Sequence, residues 1–340
     1  MSLVQAILVF VLSSAALVWA GHWLAVYSDQ IAERMQMSRL FVGTLLLAFA
    51  TSLPELLTTV SAARAGAPDL AAGNIFGSSM ANMAILAVID LLYRGRVWPS
   101  VELGHARVAS VAIALTAMAG VSIHTQTTLS IGWVGLTPIA IAGIYLFSVA
   151  WFRRMPLLSR PGLDQPAIEI QQPIGRGDKS EPHSLGALWF RFGLSVLLIV
   201  VSAPIVTLSV KTIAVATGIA ETFLGAALLA ATTSLPELIA SLAAIRIGAY
   251  DMAVGNLFGS NVANMSVLVF ADLAYTDGPI LAAVSQSQLM PVLAAILLMS
   301  IAVAAIVGES EQTRIRRLEP DAIVLLLSYV ATLVAIAAYG

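Results

Sequence analysis

The sequence predicts an all-α integral membrane protein of ten transmembrane helices, built as two inverted-topology five-helix repeats with helices 2 and 7 broken. Three observations lead there. Apolar residues make up 59% of the 340-residue chain and charged residues 11%, with a mean hydropathy of +0.91. A soluble domain carries about 25% charged residues, so lipid must be the main solvent here. Second, ten stretches reach the roughly 20 mostly apolar residues that a membrane-crossing helix needs. Third, segment 43–92 recurs at 225–274 with a constant offset of 182 residues and no gap, and 27 of the 50 pairs are identical.

The ten stretches fall near 3–27, 38–63, 69–92, 103–123 and 129–152 in the first half, and near 187–210, 219–245, 251–274, 284–307 and 320–339 in the second. The first is too long for a signal peptide and lacks a basic start or an A-x-A cleavage site, so it reads as a retained helix. Segment 153–185, rich in Pro, Gly and charge, reads as a linker between a half at 1–152 and a half at 186–340. Cytoplasmic loops retain Lys and Arg. Odd-numbered connections and their flanks hold 15 basic residues, Arg34 to Arg317, against only Arg64 and Lys211 in the even-numbered ones. The chain is therefore expected in the cell membrane, with both termini outside and the linker in the cytoplasm. On that arrangement Trp23, Trp98, Trp151 and Trp189 sit at cytoplasmic helix ends as interfacial anchors.

Composition also excludes several functions. A net charge of −2 without a long block of like charge gives a nucleic acid nothing to engage. The absence of cysteine removes disulfides, thiolate metal sites, iron-sulfur clusters and cysteine nucleophiles. His22, His105, His124 and His183 are far apart and form no ligand motif. No cofactor and no obligate protein partner is expected, and membrane lipids are the surroundings.

The repeat carries the chemistry. Its identities include Thr51/Thr233, Ser52/Ser234, Pro54/Pro236, Glu55/Glu237, Asn74/Asn256, Ser78/Ser260 and Asn82/Asn264, polar residues matched inside the membrane. Because each half has five spans, the second copy enters from the opposite side, the inverted arrangement of secondary transporters. Ionised Glu55 and Glu237 would cost several kcal/mol at such depth unless paired. No Lys or Arg lies in the middle of any span, which leaves a mobile cation as the counter-charge. Pro54 and Pro236 should break their helices and release carbonyls around Ala48 to Ala50 and Ala230 to Thr232, while Thr51, Ser52, Thr233 and Ser234 add hydroxyls on the same turn. Asn74, Ser78 and Asn82 are four residues apart and share a helical stripe, as do Asn256, Ser260 and Asn264. Gly73 and Gly77 beside them fit close helix packing. A set of carboxylates, hydroxyls, amides and carbonyls without imidazole or sulfur suits hard cations such as Ca2+ and Na+. Two Glu neutralise one Ca2+, and the same oxygens can be redistributed among Na+ ions, so mutually exclusive occupancy would give antiport.

These residues resemble the sodium/calcium exchanger family of the cation/calcium exchanger superfamily. The resemblance rests on A-T-S-L-P-E with G-N-I-F-G-S-S-M-A-N in the first half and T-T-S-L-P-E with G-N-L-F-G-S-N-V-A-N in the second. The short linker matches a minimal prokaryotic-type member without a large regulatory domain. The resemblance implies that Glu55 and Glu237 are the central Ca2+ ligands, shared with Na+. It also implies that Thr51 and Thr233 contribute backbone oxygens, that Ser52 and Ser234 contribute hydroxyls, and that Ala48, Ser78, Ala230 and Ser260 complete flanking Na+ sites. Asn82 fits the family's central amide. Asn264 departs from the acid often found there, leaving two acids where such relatives have three. Protons acting through Glu55 and Glu237 are therefore the alternative driving ion, and K+ dependence is not expected.

Two other classes compete. A cation channel would also line its path with acids and carbonyls. An intramembrane hydrolase would need a nucleophile with its base, a zinc motif or paired aspartates, and none of those spacings occurs. Asp90 and Asp272 are repeat mates, but they lie near helix ends where a cap or loop contact suffices.

Overall fold

The computed structural model describes residues 2–34, 51–93, 97–98, 101, 103–152, 184–246, 250–308 and 320–339, which are nearly all helical. In the first half these residues form α1 (Leu3–Arg34), α2 (Leu53–Arg64), α3 (Pro68–Leu92), α4 (Gly104–Thr125), the two-residue strands β1 (Ser130–Ile131) and β2 (Val134–Gly135), and α5 (Leu136–Phe152). The second half continues with α6 (Leu185–Thr217), α7 (Glu221–Thr233), α8 (Leu235–Arg246), α9 (Tyr250–Ala274), the short α10 (Ile280–Ala283), α11 (Leu289–Gly308) and α12 (Pro320–Tyr339). Among the described residues seven helices are long and apolar enough to cross a membrane, and eight if α7 and α8 count as one bent crossing. The shorter apolar α5 occupies the fifth expected span. Only the latter part of the second span, α2, is described. Residues 38–50, and 153–183 of the expected linker, lie outside the described residues.

Burial sorts these helices into layers. In the most apolar part of α3, 78% of residues are buried, and in α9 61%, against 22% in α1 and 17% in α12. The repeated polar stripes thus ride on the two central helices, and the outer helices present Val4, Leu8, Leu12, Phe190, Val215 and Leu327 to the surroundings.

Local sequence explains the breaks. Pro236 has no N–H to give the carbonyl of Thr232, and the chain bends by 43° between α7 and α8. Pro54 likewise sits in the first turn of α2, with Ser52 as the residue before the helix. α1 crosses over both breaks, since a Cβ on Gly21 would lie 2.6 Å from Pro236 Cγ and 3.8 Å from Pro54 Cγ. Glycine is also required where α3 meets α7. A Cβ on Gly77 would fall 2.5 Å from the Ala226 Cα, and one on Gly73 would fall 3.1 Å from the Gly225 Cα. The packing role expected for Gly73 and Gly77 is what the backbones show. Their partner, Gly225–Leu229, is a π-helical turn inside α7.

Three details differ from the sequence expectation. The fifth span begins at Leu136 instead of 129, because residues 130–135 form a hairpin through Gly132, whose φ is +65°. The ninth starts as extended chain and a short 3₁₀ turn, and its α-helix begins at Leu289, because the backbone N–H of Ser285 donates to Asp69 (2.7 Å). Trp98 is not an interfacial anchor: it is 1% exposed and packs within the apolar core. Trp151 and Trp189 do expose nearly half of their surface.

Candidate functional site

Glu55 and Glu237 each occupy the first turn of a helix, α2 and α8, and are 1% and 0% exposed. The N-terminal end of a helix carries partial positive charge that favours an anion, so each break both buries and supports its carboxylate. The two carboxylates are near enough to interact electrostatically. Ser52 precedes α2, yet its hydroxyl makes no cap bond and instead donates across to Ser260 Oγ (3.2 Å).

The hydroxyls join the carboxylates to both halves. Ser234 donates across the halves to Glu55 Oε1 (3.3 Å), and Ser260 donates within the second half to Glu237 Oε1 (3.4 Å). Thr51 Oγ1 donates to Asn256 Oδ1 (3.4 Å), while its mate Thr233 donates to Asn74 Oδ1 (3.2 Å). Ser78 Oγ and Thr233 Oγ1 are 3.3 Å apart. Thr51 and Ser52 also reach Glu237, as Thr233 reaches Glu55.

The asparagines of the two stripes divide into two kinds. Asn74 is fully engaged: besides accepting from Thr233, its Nδ2 donates to Thr59 (2.8 Å) and Thr58 (3.1 Å). Asn256 repeats this, donating to Ser241 (3.2 Å). These two hold helices together. Asn82 Oδ1 and both polar atoms of Asn264 are buried with no hydrogen-bond partner, and so are Glu55 Oε2 and Glu237 Oε2. An unpartnered buried polar group costs about 1–3 kcal/mol, and native structures contain few. Two carboxylate and two amide oxygens are in that condition on α2, α3, α8 and α9, which makes this group of residues the candidate site.

Of the residues singled out in the sequence, Thr51, Ser52, Glu55, Ser78, Asn82, Ala230, Thr233, Ser234, Glu237, Ser260 and Asn264 are all buried on the elements that meet at the two helix breaks. Ala48 lies outside the described residues. The Ala230 carbonyl already accepts from the Ser234 backbone N–H (2.9 Å) and the Thr233 hydroxyl (3.2 Å), so it is not one that the break sets free. Among the described residues no three His, Cys, Asp or Glu converge as a metal cluster.

Asp90 and Asp272 take the cap and loop contacts expected of them. Asp272 accepts from the N–H of Gly135 and of Ile280, both at 2.6 Å, and Asp90 accepts from Val97 (3.1 Å). Sequence reasoning missed Asn261, whose side chain bonds Asn82 across the halves (2.8 Å). Its signal was the one polar mismatch inside the repeated segment 73–82, Ser79 against Asn261.

The family model described as "Sodium/calcium exchanger protein" matches residues 5–153 and 187–338. CaxA of Alkalimonas amylolytica is 27% identical over 292 residues, 84% of this chain and 86% of that one. The sodium/calcium exchanger MaX1 of Methanosarcina acetivorans is 42% identical over 52 residues, 15% of each chain. Among solved structures, the sodium-calcium exchanger NCX_Mj superposes with a TM-score of 0.58 at 19% identity, covering 98% of this chain and 99% of that one.

Proposed function

We infer the function from one premise: the chain belongs to the sodium/calcium exchanger protein family, whose model spans both of its halves. We propose that it is a secondary antiporter exchanging Ca2+ for Na+ across the membrane by alternating access, with no cofactor. The observation that carries this reading is the buried set of unpartnered oxygens on Glu55, Glu237, Asn82 and Asn264. Ca2+ takes 6–8 oxygen ligands in flexible geometry. The two carboxylates balance its charge, the Asn82 and Asn264 amides complete the centre, and the hydroxyls of Ser52 and Ser234 can turn lone pairs inward. Backbone oxygens of Thr51 and Thr233 add to the ligand set, and Ser78, Ser260 and Ala230, with Ala48 outside the described residues, are proposed to complete flanking Na+ sites. At Ala230 an ion must displace at least one of two hydrogen bonds.

Alternating access follows from the ten-span arrangement of two inverted five-helix repeats. The 182-residue repeat and the mirrored Thr51–Asn256 and Thr233–Asn74 contacts support it. The distribution of Lys and Arg supports external termini and a cytoplasmic linker. A second reading, exchange driven by H+, is favoured by Asn264, which supplies neutral atoms where a third acid would strengthen monovalent binding. The two are separated by Ca2+ flux in reconstituted vesicles under Na+, K+ or H+ gradients imposed one at a time. The Na+ gradient should drive uptake; uptake only under the H+ gradient would establish the second reading, and uptake under none would overturn both.

A further inference from the structure

The two halves depart from one another where the site needs an oriented amide. Asn261 on α9 bridges to α3 with both ends of its side chain: its Oδ1 accepts from Asn82 Nδ2 (2.8 Å) and its Nδ2 donates to the Ser79 carbonyl (3.4 Å). A backbone carbonyl can only accept, so it fixes which end of the Asn261 amide faces it. The oxygen of Asn261 then faces Asn82, which must answer with its own Nδ2, leaving Asn82 Oδ1 buried and unpartnered. The mirrored position holds Ser79, whose hydroxyl turns back to the Ile75 carbonyl of its own helix (3.2 Å). Asn264, the mate of Asn82, accordingly has neither end held.

We propose that Asn261 is a positioning residue that locks the Asn82 amide with its oxygen toward the cation, making Asn82 a permanent neutral ligand while Asn264 stays free to rotate. This rests on the cation site described above. With the lock removed, the Asn82 amide can present Nδ2–H to a cation, which repels it. Groups that orient a ligand in this way are worth about 10-fold to 100-fold in metal affinity.

The test is a double-mutant cycle on the full chain in detergent, reading Ca2+ affinity per folded protein by calorimetry alongside thermal stability without Ca2+. Asn82→Ala alone should weaken Ca2+ binding; an unchanged affinity would remove the site reading and this inference with it. Asn261→Ser, the residue its mirror position already carries, should weaken binding about tenfold per folded protein, apart from any stability lost with the Asn82 and Ser79 bonds, and should add nothing to the binding loss in the Asn82→Ala background. If Asn82→Ala weakens binding while Asn261→Ser matches the parent, or if the two losses add, the positioning role is overturned and the site reading stands. Should Asn261→Ser not fold, the volume-matched Asn261→Leu runs the same cycle. Failure of both to fold, in either background, would make Asn261 a packing residue and overturn the proposal.

Discussion

A neutral amide and a carboxylate are nearly the same shape, and at position 264 the difference decides how many titratable groups the centre holds. Asn264 is 1% exposed and neither of its polar atoms is paired, so Asn264→Asp fits sterically and adds a third acid beside Glu55 and Glu237. Transport should become more sensitive to pH: Ca2+ uptake should fall more steeply on acidification than in the parent, because protons then compete for one more carboxylate. Superimposable pH profiles in matched vesicles would place position 264 outside the site. Residues of this kind were legible in the sequence because polar groups repeated inside apolar spans have few other uses. Asn261 and Trp98 were not, because what each touches depends on how helices distant in sequence come together.

Elements were legible wherever proline and glycine punctuate them. The bend between α7 and α8 follows from Pro236, and the close approach of α3 to α7 follows from Gly73 and Gly77. Gly77→Ala should already cost about 1–3 kcal/mol, since its Cβ would strike backbone and not a side chain that can move. Gly143→Ala in α5, with nothing within 4 Å, should cost nothing. Equal melting temperatures for the two variants would show that α3 and α7 do not pack as described. The β1–β2 hairpin was not legible, because what holds it is a carboxylate from the far half of the chain. Asp272→Ala leaves the Gly135 and Ile280 N–H groups without their acceptor and should cost about 1–3 kcal/mol. Ca2+ affinity should stay at the parental value, and a weakened affinity would extend the ion site to Asp272.

On the scale of the whole molecule, the polar contacts of the candidate site run between the halves. Thr51, Ser52, Thr233 and Ser234 each place a hydroxyl bond on the opposite half. Moderate shortening of the linker at 153–185, keeping enough length to join α5 to α6, should therefore leave exchange rates unchanged in vesicles, and loss of exchange would reveal a role that its composition hides. The central claim is that Glu55 and Glu237 together carry the exchanged cation. Its most direct test is Ca2+ uptake into Na+-loaded vesicles by the parent, Glu55→Gln and Glu237→Gln, with insertion verified for each. Each substitution leaves one buried carboxylate facing a divalent ion alone, a loss of about 3–5 kcal/mol for a buried charge pair. Either variant should lose at least about 100-fold in uptake, and near-parental uptake by either one would show that the two carboxylates do not carry the cation together.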